Sequence, residues 1–389
     1  MPPATEHPAG PFEVARALAP LIAQHADAAE AGRHLPDFLV DAFVDARLFQ
    51  MYVPKSLGGD EVDYVESIGA IEVLARADGS AAWNVMIGAG NGRYGAFMDP
   101  RAAAEMFADP RAVSAAAFPI GGRLIPERGG YRLSGRWTYC SGCHQSSWFL
   151  AGCLVAGGDH ARREADGSPM MLIAILPRPD WEIVESWNTT GMRGTGSHDI
   201  VIEDAFIPDH RTFSLRAPRR IDAPLYRLPA FSVLGPGPAA TCLGIARHAI
   251  DRFVELATAK RHTVSNALVG DRPVVQLRLS EAEVTLRAGR ALYFETLASF
   301  WAAVCADETP TLEDRASLRL ACVHAAQSAV RAVDLVAGVS GSSAIQVAEP
   351  IERLWRDVHT AATHATVTEV NYEATGRVLL GLEPGAALL

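Results

Sequence analysis

The 389-residue chain lacks a basic surplus: 35 Lys and Arg stand against 45 Asp and Glu, a net charge of −10. That excludes a nucleic-acid binder, which needs positive charge to displace counterions. Charges or prolines interrupt every apolar run before about 18 residues, so no membrane partner is expected. Met1 to Pro11 is polar and proline-rich, unlike a basic-then-apolar leader. Cysteine is sparse, with six residues at 140, 143, 153, 242, 305 and 322. Cys140 and Cys143 form the one close pair. No second pair supplies further zinc ligands, and a redox pair of the thioredoxin type would open a helix rather than sit between strands. No metal is expected, and thiols in apolar stretches indicate a reducing, cytoplasmic setting. There is no G-x-S-x-G elbow. His359 and His364 are placed on one late helix, five apart, so they share no face and lack the Glu of a zinc motif. The segment Gly235-Pro236-Gly237-Pro238-Ala239-Ala240 imitates a dinucleotide fingerprint, but Pro236 and Pro238 have no N–H to aim at a pyrophosphate.

What is present is a globular composition, 49% hydrophobic and 21% charged, long enough for two or three domains. The fold class expected is α+β and multi-domain, mostly α. Apolar spacing gives helices over 12–32, with a possible kink at Pro20, and 36–48. A third carries Tyr64, Ile68, Ile71 and Leu74, a fourth follows Asp78-Gly79-Ser80, and a short fifth covers 101–107. Seven short strand-like segments follow between residues 113 and 207, bounded by Gly, Pro, Asp or Ser, as in a small barrel or sandwich. Long helices over 238–260, 274–306, 312–337 and 351–380 read as an up-down bundle. The divisions are 1–112, 113–222 and 223–389. Long helices with apolar residues on several faces also imply pairing with further copies.

Two polar loops carry the chemistry. Residues 140–147, Cys-Ser-Gly-Cys-His-Gln-Ser-Ser, are all small or hydrogen-bonding and lie between two aromatic strands, a setting suited to a planar polar ligand; a plain surface hairpin is the alternative. Residues 187–199 place Gly191, Gly194 and Gly196 beside Thr195 and Ser197, so backbone and hydroxyls can approach a ligand closely.

The order of helical domain, small β-domain and four-helix bundle resembles the acyl-CoA dehydrogenase fold. Leu57-Gly58-Gly59, Gly191-Met192-Arg193-Gly194, Asp204-Ala205-Phe206-Ile207-Pro208, Leu243-Gly244-Ile245-Ala246, Ala259-Lys260-Arg261 and Arg356-Asp357 carry the likeness. Within that fold the chain resembles the flavin-dependent monooxygenases that are oxygenase components of two-component systems. The residues are Ser134-Gly135-Arg136-Trp137 with Ser141-Gly142 and Trp148, Thr190 to Ser197, and Trp355-Arg356-Asp357-Val358-His359. A dehydrogenase of this fold needs a carboxylate base for the α-proton of a thioester. Its usual position after the Arg-Asp pair is Ala365 here, and no Asp or Glu occurs between Asp222 and Asp251. The monooxygenase relatives carry a histidine late in the chain, and His364 takes that place.

The resemblance implies that a separate NAD(P)H:flavin reductase supplies reduced FMN or FAD, and that O2 is the co-substrate. A flavin C4a-hydroperoxide would then hydroxylate an aromatic, phenolic or polycyclic small molecule. His364 and Ser141 are the catalytic candidates. Tyr139, Cys140, Ser141, Trp187, Thr195 and Ser197 would hold the ring system, and Arg261 with Gly341, Ser342 and Ser343 the phosphate, across a subunit boundary in a homotetramer or dimer of dimers. His144, Phe118 and Phe231 would line the substrate site. N- or S-oxygenation by the same chemistry, an acyl-CoA dehydrogenase-like desaturase and a non-catalytic scaffold are the competing readings.

Overall fold

Proline and aspartate set the first helices. In the computed structural model, which describes residues 10–158, 160–262 and 266–385, α1 (Pro11–Gly32) opens on a proline whose missing amide costs nothing there. Pro20 is accommodated within it. Most of the N-terminal tail lies outside the described residues. After α2 (Asp37–Asp45), α3 (Tyr64–Ala77) and α4 (Gly79–Gly92) follow with only Asp78 between them. Asp63 caps α3 by accepting from the Glu66 amide, and Asp78 caps α4 by accepting from that of Ala81. A short α5 (Pro100–Met106) closes this part.

The sheet contains β1 (Ser114–Glu127), β2 (Gly130–Trp137), β3 (Trp148–Gly157), β4 (His160–Ala161), β5 (Met171–Pro177), β6 (Glu182–Val184), β7 (Asp199–Pro208) and β8 (Thr212–Phe213). Its order is β6-β7-β2-β1-β3-β5-β8, with β4 on β3. The first two of the seven expected segments, 113–117 and 123–126, form one strand, Ser114–Glu127, with an irregularity between Ala117 and Gly122. β2 and β3 are not a hairpin. β1 lies between them, antiparallel to β2 and parallel to β3, so residues 138–147 cross the end of β1. Trp137, Phe149 and Trp181 fill the sheet's core, and the Trp137 Nε1–H donates to the Gly152 carbonyl at 2.8 Å.

The remaining helices are α6 (Pro224–Arg227), α7 (Pro236–Ala259), α8 (Pro273–Cys305), α9 (Leu312–Ala337), α10 (Pro350–Ala361) and α11 (Asn371–Leu379). α9, with a Thr311–Asp314 capping box, packs against α7, α8, α10 and α11. It is apolar and long enough to cross a membrane by composition, with 56% of that window buried within the fold. The expected helix over 351–380 is broken at 362–370. Threonines there bond backbone instead of continuing the helix: Thr363 Oγ1 donates to the Thr360 carbonyl, Thr366 Oγ1 to that of Leu234, and Thr368 Oγ1 to that of Ala365. His364 therefore sits in a turn, while His359 stays on α10, against Trp355 and Asp334.

Candidate active site

The crossover from β2 to β3 brings its serine beneath α4. Trp83, on α4, donates from Nε1 to Ser141 Oγ at 3.2 Å. Ser141 Oγ and Ser197 Oγ are 2.7 Å apart, as are Ser197 Oγ and Thr195 Oγ1. The chain of hydroxyls ends on the Met192 carbonyl, which accepts from Thr195 Oγ1 and from Trp187 Nε1. On its other side the Trp83 ring meets the His364 ring edge-on, with centroids 5.4 Å apart. Ser141 and His364 thus flank one indole, and Trp83 is the residue that sequence reasoning missed. Four small hydroxyl and indole donors, buried and mutually bonded, sit where β-domain, α4 and the α10–α11 turn meet.

His364 is neutral here. Burial, with a smaller push from the Arg319 guanidinium, lowers its pKa from 6.5 to about 4. Its Nδ1 is 2.8 Å from Thr366 Oγ1, whose single proton goes to the Leu234 carbonyl at 3.1 Å. With that proton on the Leu234 carbonyl, Nδ1 donates and Nε2 keeps the lone pair. The Thr366 amide lies 3.5 Å from the same nitrogen, too far to compete.

The second loop is held by the Arg356-Asp357 pair. Asp357 accepts from the Met192 amide, with Met192 in a left-handed conformation (φ 53°). Burial, then the neighbouring Asp78, raise the Asp357 pKa from 3.8 to about 7. Arg356 donates to the Thr190 carbonyl and pairs with Glu352 and Glu30. A Cβ on Gly191 would run into the Arg356 carbonyl, so only glycine lets the loop close on α10. Both buried acids of this region, Asp78 and Asp357, are engaged with backbone amides of Ala81 and Met192.

The other candidates distribute unevenly. Tyr139 is left-handed (φ 60°) and 73% exposed, its ring 6.1 Å from that of the half-buried Trp187. Cys140 is fully buried; burial raises its thiol strongly and pushes that of Cys143 up to about 12, so neither is a thiolate. Phe118 packs edge-on to Tyr94 at 4.9 Å, and the Phe231 carbonyl accepts from Arg319. His144 joins a different group: it stacks on His34, and Glu185 oxygens lie 3.0 and 3.1 Å from Nε2 of His144 and His198, close but poorly aligned. His198 Nδ1 accepts from the Trp187 amide, so its Nε2 carries the proton toward Glu185. Arg33 also approaches Glu185 at 3.3 Å. A cation would have to displace that proton beside a guanidinium.

Arg261 and residues 341–343 stand far from all this. They lie at the C-terminal end of α7, a helix of 24 residues, about 36 Å long at the usual rise. Ser141 and His364 cluster near its start, where Leu234 receives Thr366. Lys260, rather than Arg261, reaches Ser343, with Nζ 2.7 Å from Oγ. Arg261 instead donates to the Asn266 carbonyl. Gly341 is left-handed (φ 60°) with open space around it.

Comparison with known proteins agrees with this geometry. Residues 12–96 match the acyl-CoA dehydrogenase N-terminal domain and residues 237–369 a C-terminal domain of the same family. The chain is 31% identical over 354 residues to an indole-3-acetate monooxygenase of Pseudomonas putida, covering 90% of this chain and 89% of that protein. It is 30% identical to the flavin-dependent monooxygenase oxygenase subunit HsaA of Rhodococcus jostii, over 90% and 92% of the two chains. The chain belongs to this monooxygenase family. The solved structure of XiaF from Streptomyces, in complex with FADH2 and glycerol, superposes with a TM-score of 0.87 at 26% identity, over 97% of each chain. The fold is that of the acyl-CoA dehydrogenases, and the protein is a flavin-dependent monooxygenase oxygenase subunit of the aromatic-hydroxylase kind.

Proposed function

We propose that this monooxygenase hydroxylates an aromatic small molecule with O2 at the Trp83–His364 end of the site. Reduced FMN or FAD reaches it from a separate NAD(P)H:flavin reductase. The observation that carries the reading is the Thr195–Ser197–Ser141–Trp83–His364 array, which meets no free carboxylate base among the described residues. The array suits an isoalloxazine: hydroxyls for the polar edge, and the indoles of Trp83 and Trp187 for the flat faces. A reduced flavin, when bound, supplies the electrons that activate O2.

The protein's share is positioning and exclusion of water. Ser141 and Ser197 are 7% and 5% exposed and bonded to each other, so a ligand N–H that meets their remaining lone pairs does so in a water-poor setting. His364 accepts a hydrogen bond through Nε2 without storing a proton, because its conjugate acid is too strong at neutral pH. The phosphate end of the cofactor is completed by a second copy, in a homotetramer or dimer of dimers. Two features support this: the Lys260–Ser343 pair lies a full α7 length from Ser141, and Val274, Leu277, Val284 and Leu292 leave an exposed apolar row on α8.

Anaerobic titration with reduced FMN and FAD, followed by reaction with O2 and a phenolic substrate, tests the reading. His364→Ala and Ser141→Ala should shift output from hydroxylated product to hydrogen peroxide by about tenfold, the scale of one lost hydrogen bond to a charge-bearing group. Unchanged product-to-peroxide ratios in both variants would remove these residues from the chemistry.

A further inference from the structure

Arg319 belongs to α9, the helix at the centre of the bundle, and is 5% exposed. Its Nη2 donates to the Phe231 carbonyl at 3.0 Å. Its Nη1 donates to the Thr366 carbonyl at 3.2 Å, with Asn371 Oδ1 3.5 Å from the same nitrogen. The first acceptor stands on the segment that leads into α7. The other two belong to the turn and helix that follow His364. A guanidinium is planar and rigid, so it sets the spacing between the two groups it joins. A buried guanidinium also costs desolvation that a well-packed apolar side chain avoids. Packing alone therefore does not account for an arginine at this place, whereas the carbonyls it ties together do.

His364 is held by the same two segments. Its Nδ1 donates to Thr366 Oγ1, which donates in turn to the Leu234 carbonyl. Thr366 thus gives its hydroxyl to His364 and Leu234, and its carbonyl to Arg319. Asn371 gathers the rest of the turn, donating from Nδ2 to the Ala365 carbonyl at 2.8 Å and to that of Thr368 at 3.0 Å. No helix fixes residues 364–368, so side-chain bonds of this kind decide where the imidazole sits. Arg319 supplies the one tie among them that comes from a packed bundle helix, and site groups held by such elements are placed more accurately than groups held by loops. The guanidinium charge also adds to burial in keeping the imidazole neutral. Phe231, a substrate-site candidate, is fixed in register with His364 by the same tie.

We propose that Arg319 is the positioning residue for His364: it locks the turn after α10 to the segment before α7, so that the ring presents Nε2 beside Trp83. This rests on the monooxygenase reading above.

Arg319→Met should shift output from hydroxylated product to hydrogen peroxide by about tenfold, the same loss as His364→Ala. Arg319→Lys keeps the charge but cannot span both carbonyls, and should recover little of it. Reduced-flavin affinity should change by less than about twofold in either variant, since Ser141 and Ser197 have their own partners. The double variant decides the role. On a His364→Ala background, Arg319→Met should lower the product-to-peroxide ratio no further, because nothing is left to position. A merely structural Arg319 would multiply the two losses, and that result overturns the proposal. NMR of isotope-labelled histidines reads the ring directly and needs no turnover, with His364→Gln identifying the signal. The wild type should show one tautomer, protonated on Nδ1, and Arg319→Lys a mixture of the two. A mixture in the wild type overturns the lock even if no variant folds, and an unchanged single tautomer in Arg319→Lys overturns it as well. Absence of reduced-flavin binding and of any hydroxylation by the wild type would instead overturn the monooxygenase reading, with the tautomer result standing on its own.

Discussion

The two walls of the site are built differently. On the loop wall, Thr195, Ser197, Ser141 and the Met192 amide each have a partner. Polar groups so paired fix one geometry before anything binds. On the α4 wall, Gly90 faces open space, and just beyond the helix the Arg93 Nε–H is buried without a partner. A finished wall next to an unfinished one is the arrangement expected where one face holds a ring of fixed shape and the other awaits a ligand.

Damage to the finished wall should have the largest effect. Gly191→Ala forces a Cβ against the Arg356 carbonyl, and Asp357→Leu leaves the Met192 amide buried and unpaired. Each should cost about 1–3 kcal/mol in denaturant unfolding, with a parallel loss of reduced-flavin affinity. Normal flavin affinity in both variants would show that the Arg356-Asp357 clamp does not set the loop.

The contrast also explains what sequence reasoning reached. Ser141, Thr195 and Ser197 were legible because polar residues between glycines are hard to account for as core. Trp83 was not, because an indole in an apolar helix looks like packing. One signal was available: the run Gly88-Ala89-Gly90-Asn91-Gly92 puts glycines inside a helix, where each costs stability without a packing or functional reason. The helix order of the fold was readable from apolar spacing, but the break at 362–370 depends on threonines finding carbonyls, one of them on Leu234, far away in sequence. The separation of Arg261 from Ser141 follows from the length of α7, which the expected helix over 238–260 already implied.

A gentler change probes the unfinished wall. Gly90→Ala has room for its methyl group and should stabilise the protein by about 0.5–1 kcal/mol, as alanine does in a helix, with turnover retained. Gly90→Leu should fill the opening, raising KM for the aromatic substrate about tenfold or more by excluding a ring from an apolar surface, while reduced-flavin affinity stays unchanged. If the leucine variant turns over normally, the opening beside Gly90 is not the substrate's path.

The last contrast is a pair of opposed pH dependences, one from His364 and one from Asp357. His364 has a depressed pKa, about 4 against 6.5, so the unfolded chain binds the extra proton between those values. Its contribution to stability is complete above 6.5 and is lost as pH falls toward 4. Asp357 has a raised pKa, about 7 against 3.8, so the folded chain binds the extra proton. Its contribution is complete below 3.8 and is lost as pH rises through 7. Asp357→Asn, a neutral group of the same shape, should therefore gain on the wild type in Tm as pH is raised from 5 to 8. His364→Gln should gain on the wild type as pH is lowered from 7 to 4.5. The product-to-peroxide ratio of the wild type should show no limb from His364 between pH 5.5 and 8, since the ring is already neutral throughout. An acidic limb in that window, abolished by His364→Gln, would mean that the imidazole carries its proton in the working enzyme and that the Nε2 lone pair is not what the substrate side meets.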